Sequence, residues 1–217
     1  MSILKARLTT AESVAAWLNT NATAFFSSVT CSGTGSSATV SMYDKDNNEV
    51  FRSFSQYCQA YRASGNYIRS QSLISTADRF RNSDIIMCDN GFILVSTPSG
   101  SDKFAMLVSP TIKGKLGIIF ANQQAASPTP YTTSIQHVAF GDSETLSSTT
   151  SFTPESGLQT VMTPFITNAD TGDVSYTPNA FYIPMCQSYG MGIGKFYLGY
   201  DTYISNGYWA IKDSRVT

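Results

Sequence analysis

Apolar residues recur along this chain with two different periods. In "TTAESVAAWLNTNATAFFSSV", Val14, Trp17, Leu18 and Phe25 fall on one face at helical spacing, and Ala15, Ala16, Ala22 and Ala24 add helix propensity. Thr9 stands three residues ahead of Glu12, a spacing at which two side chains satisfy backbone N–H groups left open at a helix start. The helix is expected to open there. The "CSGTGSS" that follows sustains neither period and reads as a hinge. Residues 1–30 are therefore expected to form a helical arm, 31–37 a Gly/Ser hinge, and 38–217 a separate domain.

From residue 38 the period is two. "ATVSMYD" and "EVFRSF" flank the turn "KDNN", and "SDIIMC" and "FILVST" flank "DNG", where Asn90-Gly91 suits a two-residue hairpin turn. "DKFAMLVS", "LGIIFAN", "SIQHVAF", "LQTVMTPFI", "AFYIPMC", "KFYLGYDTYI" and "GYWAIKD" continue the pattern. Strands broken by Pro, Gly and Asn about every ten residues predict a mainly β, antiparallel domain, a β-sandwich or barrel-like fold behind an N-terminal amphipathic helix. "GDSETLSSTTSFTPESG" and "NADTGDVSYTPN" are long for hairpin loops and are expected to be contact loops.

Composition narrows the role. Charged residues make up 13% of the 217, about half the usual share of ~25%, while 12 Tyr and 13 Phe supply a core, so the chain folds with a polar but weakly charged surface. A net charge of −1 gives no pull toward nucleic acid. Apolar runs stop at about six residues, too short for a membrane span. "MSILKARLTTAES" lacks the apolar stretch of a secretory signal, so synthesis in a cytoplasm is expected and the sequon at Asn21 stays unused. Cys31, Cys58, Cys88 and Cys186 form no close pair, and His137 is the single histidine, so the cysteines are expected to be small buried hydrophobes and no metal is expected.

Each motif that could carry chemistry has a plainer reading. "GMGIGKFYLGY" has Gly194-Lys195, but Tyr189 stands where a phosphate loop needs its first glycine and Phe196 where it needs a hydroxyl. A strand pattern follows it, so it reads as a corner or bulge. "DKDNNEV" has Asp44, Asp46 and Asn48 at calcium-loop spacing, yet Glu49 sits where glycine must bend the loop and Ser55 where glutamate must chelate. A hairpin turn explains the same residues. His137 lies in a strand pattern, and Asp142 with Glu144, or Glu155 with Asp170, lie in loop-like sequence. No catalytic residue, cofactor or enzyme activity is expected.

One cluster stands apart. Arg52, Arg62, Arg69, Arg79 and Arg81, five of the seven arginines, fall within thirty residues that hold no lysine and one acid, Asp78. Tyr57, Tyr61, Tyr67 and Phe80 interleave with them. Arginine with tyrosine is the pairing enriched at protein interfaces.

The order of the pieces resembles structural proteins of tailed phages and prophages of gut-type Gram-positive bacteria. The residues that carry the resemblance are "LKARLTTAESVAAWLNTNATAFF", "DNGFILVSTPSGSDKFAMLVSPTIKGKLGIIFAN" and "SYTPNAFYIPMCQSYGMGIGKFYLGYDTYISNGYWAIKD". The resemblance implies a virion subunit, a β-rich domain with a helical arm, and no chemistry. The expectation is a homo-oligomeric subunit of the tail or baseplate region, touching copies of itself and other virion proteins, with no nucleic acid or membrane partner. Trp17, Phe25, Phe26 and the segment carrying Arg52, Tyr57, Tyr61, Arg62, Arg69, Arg79 and Arg81 are the expected contacts. Capsid decoration at the head surface is one alternative. Another is a surface-glycan module stacking sugars on Tyr200, Tyr203, Tyr208 or Trp209.

Overall fold

A computed structural model describes residues 3–54, 57–61, 67–71, 78–98, 103–112, 116–123, 132–139, 145–151, 165–167, 174–176, 178–182, 194–198, 201–205 and 209–213. Strand β1 (Leu4–Leu8) precedes helix α1 (Ala11–Asn21). An antiparallel five-stranded meander follows: β2 (Ser28–Ser32), β3 (Thr39–Tyr43), β4 (Glu49–Phe54), β5 (Tyr57–Tyr61) and β6 (Tyr67–Gln71). The next six strands are β7 (Ser83–Cys88), β8 (Gly91–Ser96), β9 (Lys103–Pro110), β10 (Leu116–Gln123), β11 (Thr132–Ala139) and β12 (Thr145–Ser151). They form a second antiparallel meander, and β1 adds itself beside β7 to make seven strands. β13 (Phe165–Thr167) pairs with β14 (Val174–Tyr176). Finally β15 (Ala180–Tyr182), β16 (Gly194–Leu198), β17 (Asp201–Ser205) and β18 (Trp209–Lys212) make a four-stranded sheet ordered β15-β18-β17-β16.

The middle strands of the large sheet are buried on both faces. Because side chains alternate along a strand, Ile85, Met87, Phe92, Leu94, Phe104, Met106 and Val108 point one way, into a core shared with α1 and β2 to β5. Ile86, Cys88, Ile93, Ala105 and Leu107 point the other way, against Ile204 of β17 and Ile211 of β18. That is why "FILV" and "FAMLV" are unbroken apolar runs: both faces are covered, except at half-buried Val95. The mainly antiparallel β architecture expected from the sequence is present, with its helix at the N-terminal end.

The N-terminal segment does not stand off as an arm. Leu4, Ala6 and Leu8 alternate with Lys5 and Arg7, and this short period-two stretch pairs in full register with β7. Ala11, Val14, Ala15 and Leu18 of α1 are buried in the main core, as are Ala22 and Phe26 beyond it. That much apolar surface is worth several kcal/mol when removed from water, at about 25 cal/mol per Å², so the helix docks. Its cap is Thr10, one residue later than expected. Thr10 Oγ1 accepts from Ser13 N at 3.2 Å, and Thr10 N donates to Ser13 Oγ at 3.2 Å. The helix ends at Asn21, and Asn19 Oδ1 receives Val29 N at 2.9 Å, tying the helix to β2. "CSGTGSS" is therefore no hinge: Cys31 and Ser32 end β2, and the rest is its loop to β3, where Gly33 and Gly35 take φ of +73° and +53°.

Three more expectations change. "KFYLGYDTYI" is two strands, β16 and β17, paired from Gly194↔Ser205 to Leu198↔Asp201. The two polar stretches expected as contact loops contain β12 and β14, where the threonines of β12 and Val174 and Tyr176 of β14 are strand-favouring residues. In the β7–β8 hairpin the turn residues are Asp89 and Asn90, and Gly91 is already paired with Cys88. The "KDNN" turn forms as expected, with Asp44 Oδ1 accepting Asp46 N at 3.0 Å and Asn48 N at 2.8 Å.

Asn90 also fastens the four-stranded sheet to the large one. Its Nδ2 donates to Lys212 O at 2.9 Å, its Oδ1 accepts from Asn179 Nδ2 at 3.1 Å, and its carbonyl accepts from Ser109 Oγ at 2.8 Å. Asn90→Ala removes both side-chain bonds and should cost about 1–3 kcal/mol. A lowered urea midpoint with faster amide exchange across 201–213 checks this; unchanged exchange there would refute the fastening role.

Candidate functional site: the outer face of the five-stranded sheet

The register of β3 to β6 sorts the arginine- and tyrosine-rich segment into two faces. Val40, Ser53 and Cys58 share one row, and Met42, Phe51 and Ala60 another. All but Ala60 in these rows are described as buried, so these positions mark the core face. The row between them runs Ser41, Arg52, Gln59, Arg69 across four strands and belongs to the opposite face. Tyr57 and Tyr61 flank Gln59 at two-residue spacing, and Tyr61 is paired with Tyr67. Alternation thus places Arg52, Tyr57, Gln59, Tyr61, Tyr67 and Arg69 on one sheet face. The side chains of Tyr57, Gln59, Tyr61, Tyr67 and Arg69, and Arg62 as a whole, lie outside the described residues.

Arg52 shows what this face offers. Its side chain is 40% exposed, and its fork holds the Glu49 carboxylate through Nε–Oε1 at 2.8 Å and Nη2–Oε2 at 2.6 Å. Two parallel bonds fix the guanidinium plane at the sheet surface. The bulge at Met42/Tyr43 lies at the same end of the pairing, where Tyr43 meets Glu49.

Arg79 is a correction to the expected contact set. It is fully buried, burial pulls its pKa below the ordinary arginine value, and its carbonyl accepts a hydrogen bond from Ser96 Oγ. The chain re-enters the core at this point, and neighbouring Phe80 packs edge-on against Phe51 and Phe104 with ring centroids 6.4 and 5.5 Å away. Arg81, two residues on, is exposed. Spacing in sequence could not separate these arginines; alternation in "YCQAY" and "YIRSQ" is the signal that assigns the sheet face.

Of the expected helix-end aromatics, Phe26 is corrected as well. Phe26 is 2% exposed and Phe25 is half-buried, and both rings meet Phe92, at 6.3 and 6.5 Å between centroids. Trp17 packs partly buried against the same core. Phe26 is thus a core residue, while Trp17 and Phe25 each keep part of their surface open.

Asp78 sits where α1 approaches this region. Burial, and then the negative charge of Glu12, raise its carboxyl above the ordinary value of 3.8, against the opposing pull of Arg81. A raised carboxyl means the folded state binds the proton more tightly than the unfolded chain, so stability falls as pH climbs from 3.8 through the folded value. Asp78→Asn should therefore raise the thermal midpoint near neutral pH, with the gain vanishing below 3.8. Equal gains at both pH values would contradict this.

Other sequence candidates fall into place. Gly194 and Lys195 are ladder residues of β16, while Gly190 to Ile193 lie outside the described residues. His137 stands in β11 between Ile119 and Leu146; its side chain, and all of Asp142, Glu144, Glu155, Asp170 and Cys186, lie outside the described residues. Cys58 and Cys88 are buried and Cys31 half-buried, and burial leads the causes that push each thiol up. Among the described residues no three His, Cys, Asp or Glu cluster as metal ligands, and no helix is long and apolar enough to cross a membrane. Tyr203 is buried, which removes it from any sugar-stacking set; Tyr200 and Tyr208, and the side chain of Trp209, lie outside the described residues. A groove of about 390 Å³ runs along β1, β7 and β8, with Ile86 and Val95 among its apolar lining and the exposed Arg7–Asp84 pair at 3.8 Å beside them. Compared with family models, curated proteins and solved structures, the chain matches none.

Proposed function

We propose that this chain is a non-enzymatic structural subunit of a tailed-phage virion, repeated in a symmetric assembly of the tail or baseplate region. The observation that carries the subunit role is the outer face of β4 to β6, where Arg52, Gln59 and Arg69 line up between tyrosine positions. Tyrosine and arginine are the residue types enriched where protein–protein contacts are anchored. The virion setting rests on the sequence resemblance, and the weakly charged Ser/Thr-rich surface suits a chain packed among copies of itself.

Quantitative mass spectrometry of purified particles tests the reading, with heads and tails separated. The chain should be present at several copies per particle in the tail fraction. Recovery in the head fraction would assign it to capsid decoration instead, and presence in the lysate with absence from particles would overturn the virion role.

A further inference from the structure

Two separate demands of the fold set asparagine directly before glycine in the β7–β8 hairpin. Position 91 requires glycine, because its φ is +127° and a Cβ there would stand 1.9 Å from the carbonyl oxygen of Val108. Position 90 requires a group that both donates and accepts: its amide gives a hydrogen bond to Lys212 O at 2.9 Å and receives one from Asn179 Nδ2 at 3.1 Å. Asparagine before glycine is the pairing most open to deamidation, since no side chain on the next residue hinders attack by its backbone nitrogen. Asn90 is only half-buried, so water reaches it.

We propose that Asn90 is a spontaneous deamidation site, and that its conversion releases the four-stranded sheet from the large one. Gly91 N attacks Asn90 Cγ, the Cγ–Nδ2 bond breaks, and ammonia leaves with the proton from Gly91 N. Water then opens the cyclic imide to aspartate, or to isoaspartate with the backbone running through the side chain. Nothing is oxidised or reduced. In the closed structure both amide atoms are held, so attack waits on a local opening of this contact. After conversion the carboxylate has no proton to give Lys212 O, and two acceptors face each other where a bond stood. Burial leads the causes that push the Cys88 thiol up, and the carboxylates of Asp89 and Asp213 act in the same direction, so another carboxylate at position 90 joins negative charge already present. Among the described residues the apolar seam under the four-stranded sheet is the smaller of the two cores, so it can open while the helix-bearing core stays closed. The conversion runs one way, and released sheets accumulate as the protein ages. This inference is independent of the subunit role.

Two buried thiols make the test local. Cys88 Sγ donates to Lys212 O at 3.4 Å beneath the four-stranded sheet, whereas Cys58 is fully buried in the main core. The full-length chain is aged in mildly alkaline buffer, native and in guanidinium chloride, and conversion at residue 90 is followed by peptide mass spectrometry. Native conversion should be measurable and about tenfold or more slower than in the unfolded chain. Asn179→Ala, which takes away the donor to Asn90 Oδ1, should speed native conversion several-fold. Asn90→Asp, the product made directly, should let iodoacetamide label Cys88 about tenfold faster than in the parent while Cys58 stays unlabelled. Equal rates in native and unfolded chains, a native rate indifferent to Asn179→Ala, or no native conversion at all would overturn the site. In Asn90→Asp, a Cys88 as protected as in the parent would overturn the release. So would Cys88 and Cys58 labelling together, because that outcome is global unfolding.

Discussion

Gly91→Ala should lower stability by about 3 kcal/mol or more, a large fraction of the ~5–15 kcal/mol that holds a domain together. Gly91 has φ of +127°, a region closed to side-chain-bearing residues. A Cβ built there would stand 1.9 Å from the carbonyl oxygen of Val108 and 2.9 Å from its carbonyl carbon. Neither atom can retreat, because Val108 belongs to β9, which is paired with β8 on one side and β10 on the other. Chemical denaturation of the alanine variant checks this; a loss below about 1 kcal/mol would show that β9 yields where a close-packed sheet should not.

Phe92→Ala and Ile93→Ala, at adjacent positions of β8, should both be severe. Phe92 is fully buried and meets Phe25 and Phe26, so its truncation should cost about 3–5 kcal/mol. Ile93 is equally buried but on the other face, in the cluster that includes Ile204 and Ile211, and should cost about 2–5 kcal/mol. In a sheet with one wet face, one of two consecutive residues would change stability by no more than about 0.5 kcal/mol. Urea midpoints of the two variants, compared with the parent, decide between these pictures. A neutral Ile93→Ala would mean the four-stranded sheet does not cover β8.

Much of this fold was legible where a strong period met clear punctuation. "SDIIMCDNGFILVST" reads as a hairpin from its sequence, and it is one, although the positive φ falls on Gly91 and the turn itself on Asp89 and Asn90. The capping box was displaced by one residue because Thr9 and Thr10 are both competent caps, and the hydroxyl of Ser13 completes the pair with Thr10. The arm was misread for a physical reason. "LKARL" is too short for its alternation to stand out, and a helix face states that it must be covered without stating by what. "TLSSTTS" was invisible as a strand because its polar residues carry no burial signal; only its ladder with β11 reveals it. At the candidate site the arginine and tyrosine content was plain, whereas the division into a core Arg79 and a surface row of Arg52 and Arg69 follows from strand register. Register is a long-range property.

A side-chain-resolution map of the assembled particle is the most direct test of the claim that this protein works by fitting against its neighbours. The expected result is a neighbouring subunit lying across β4, β5 and β6. Solvent over that face in every copy, with contacts made elsewhere, would contradict it.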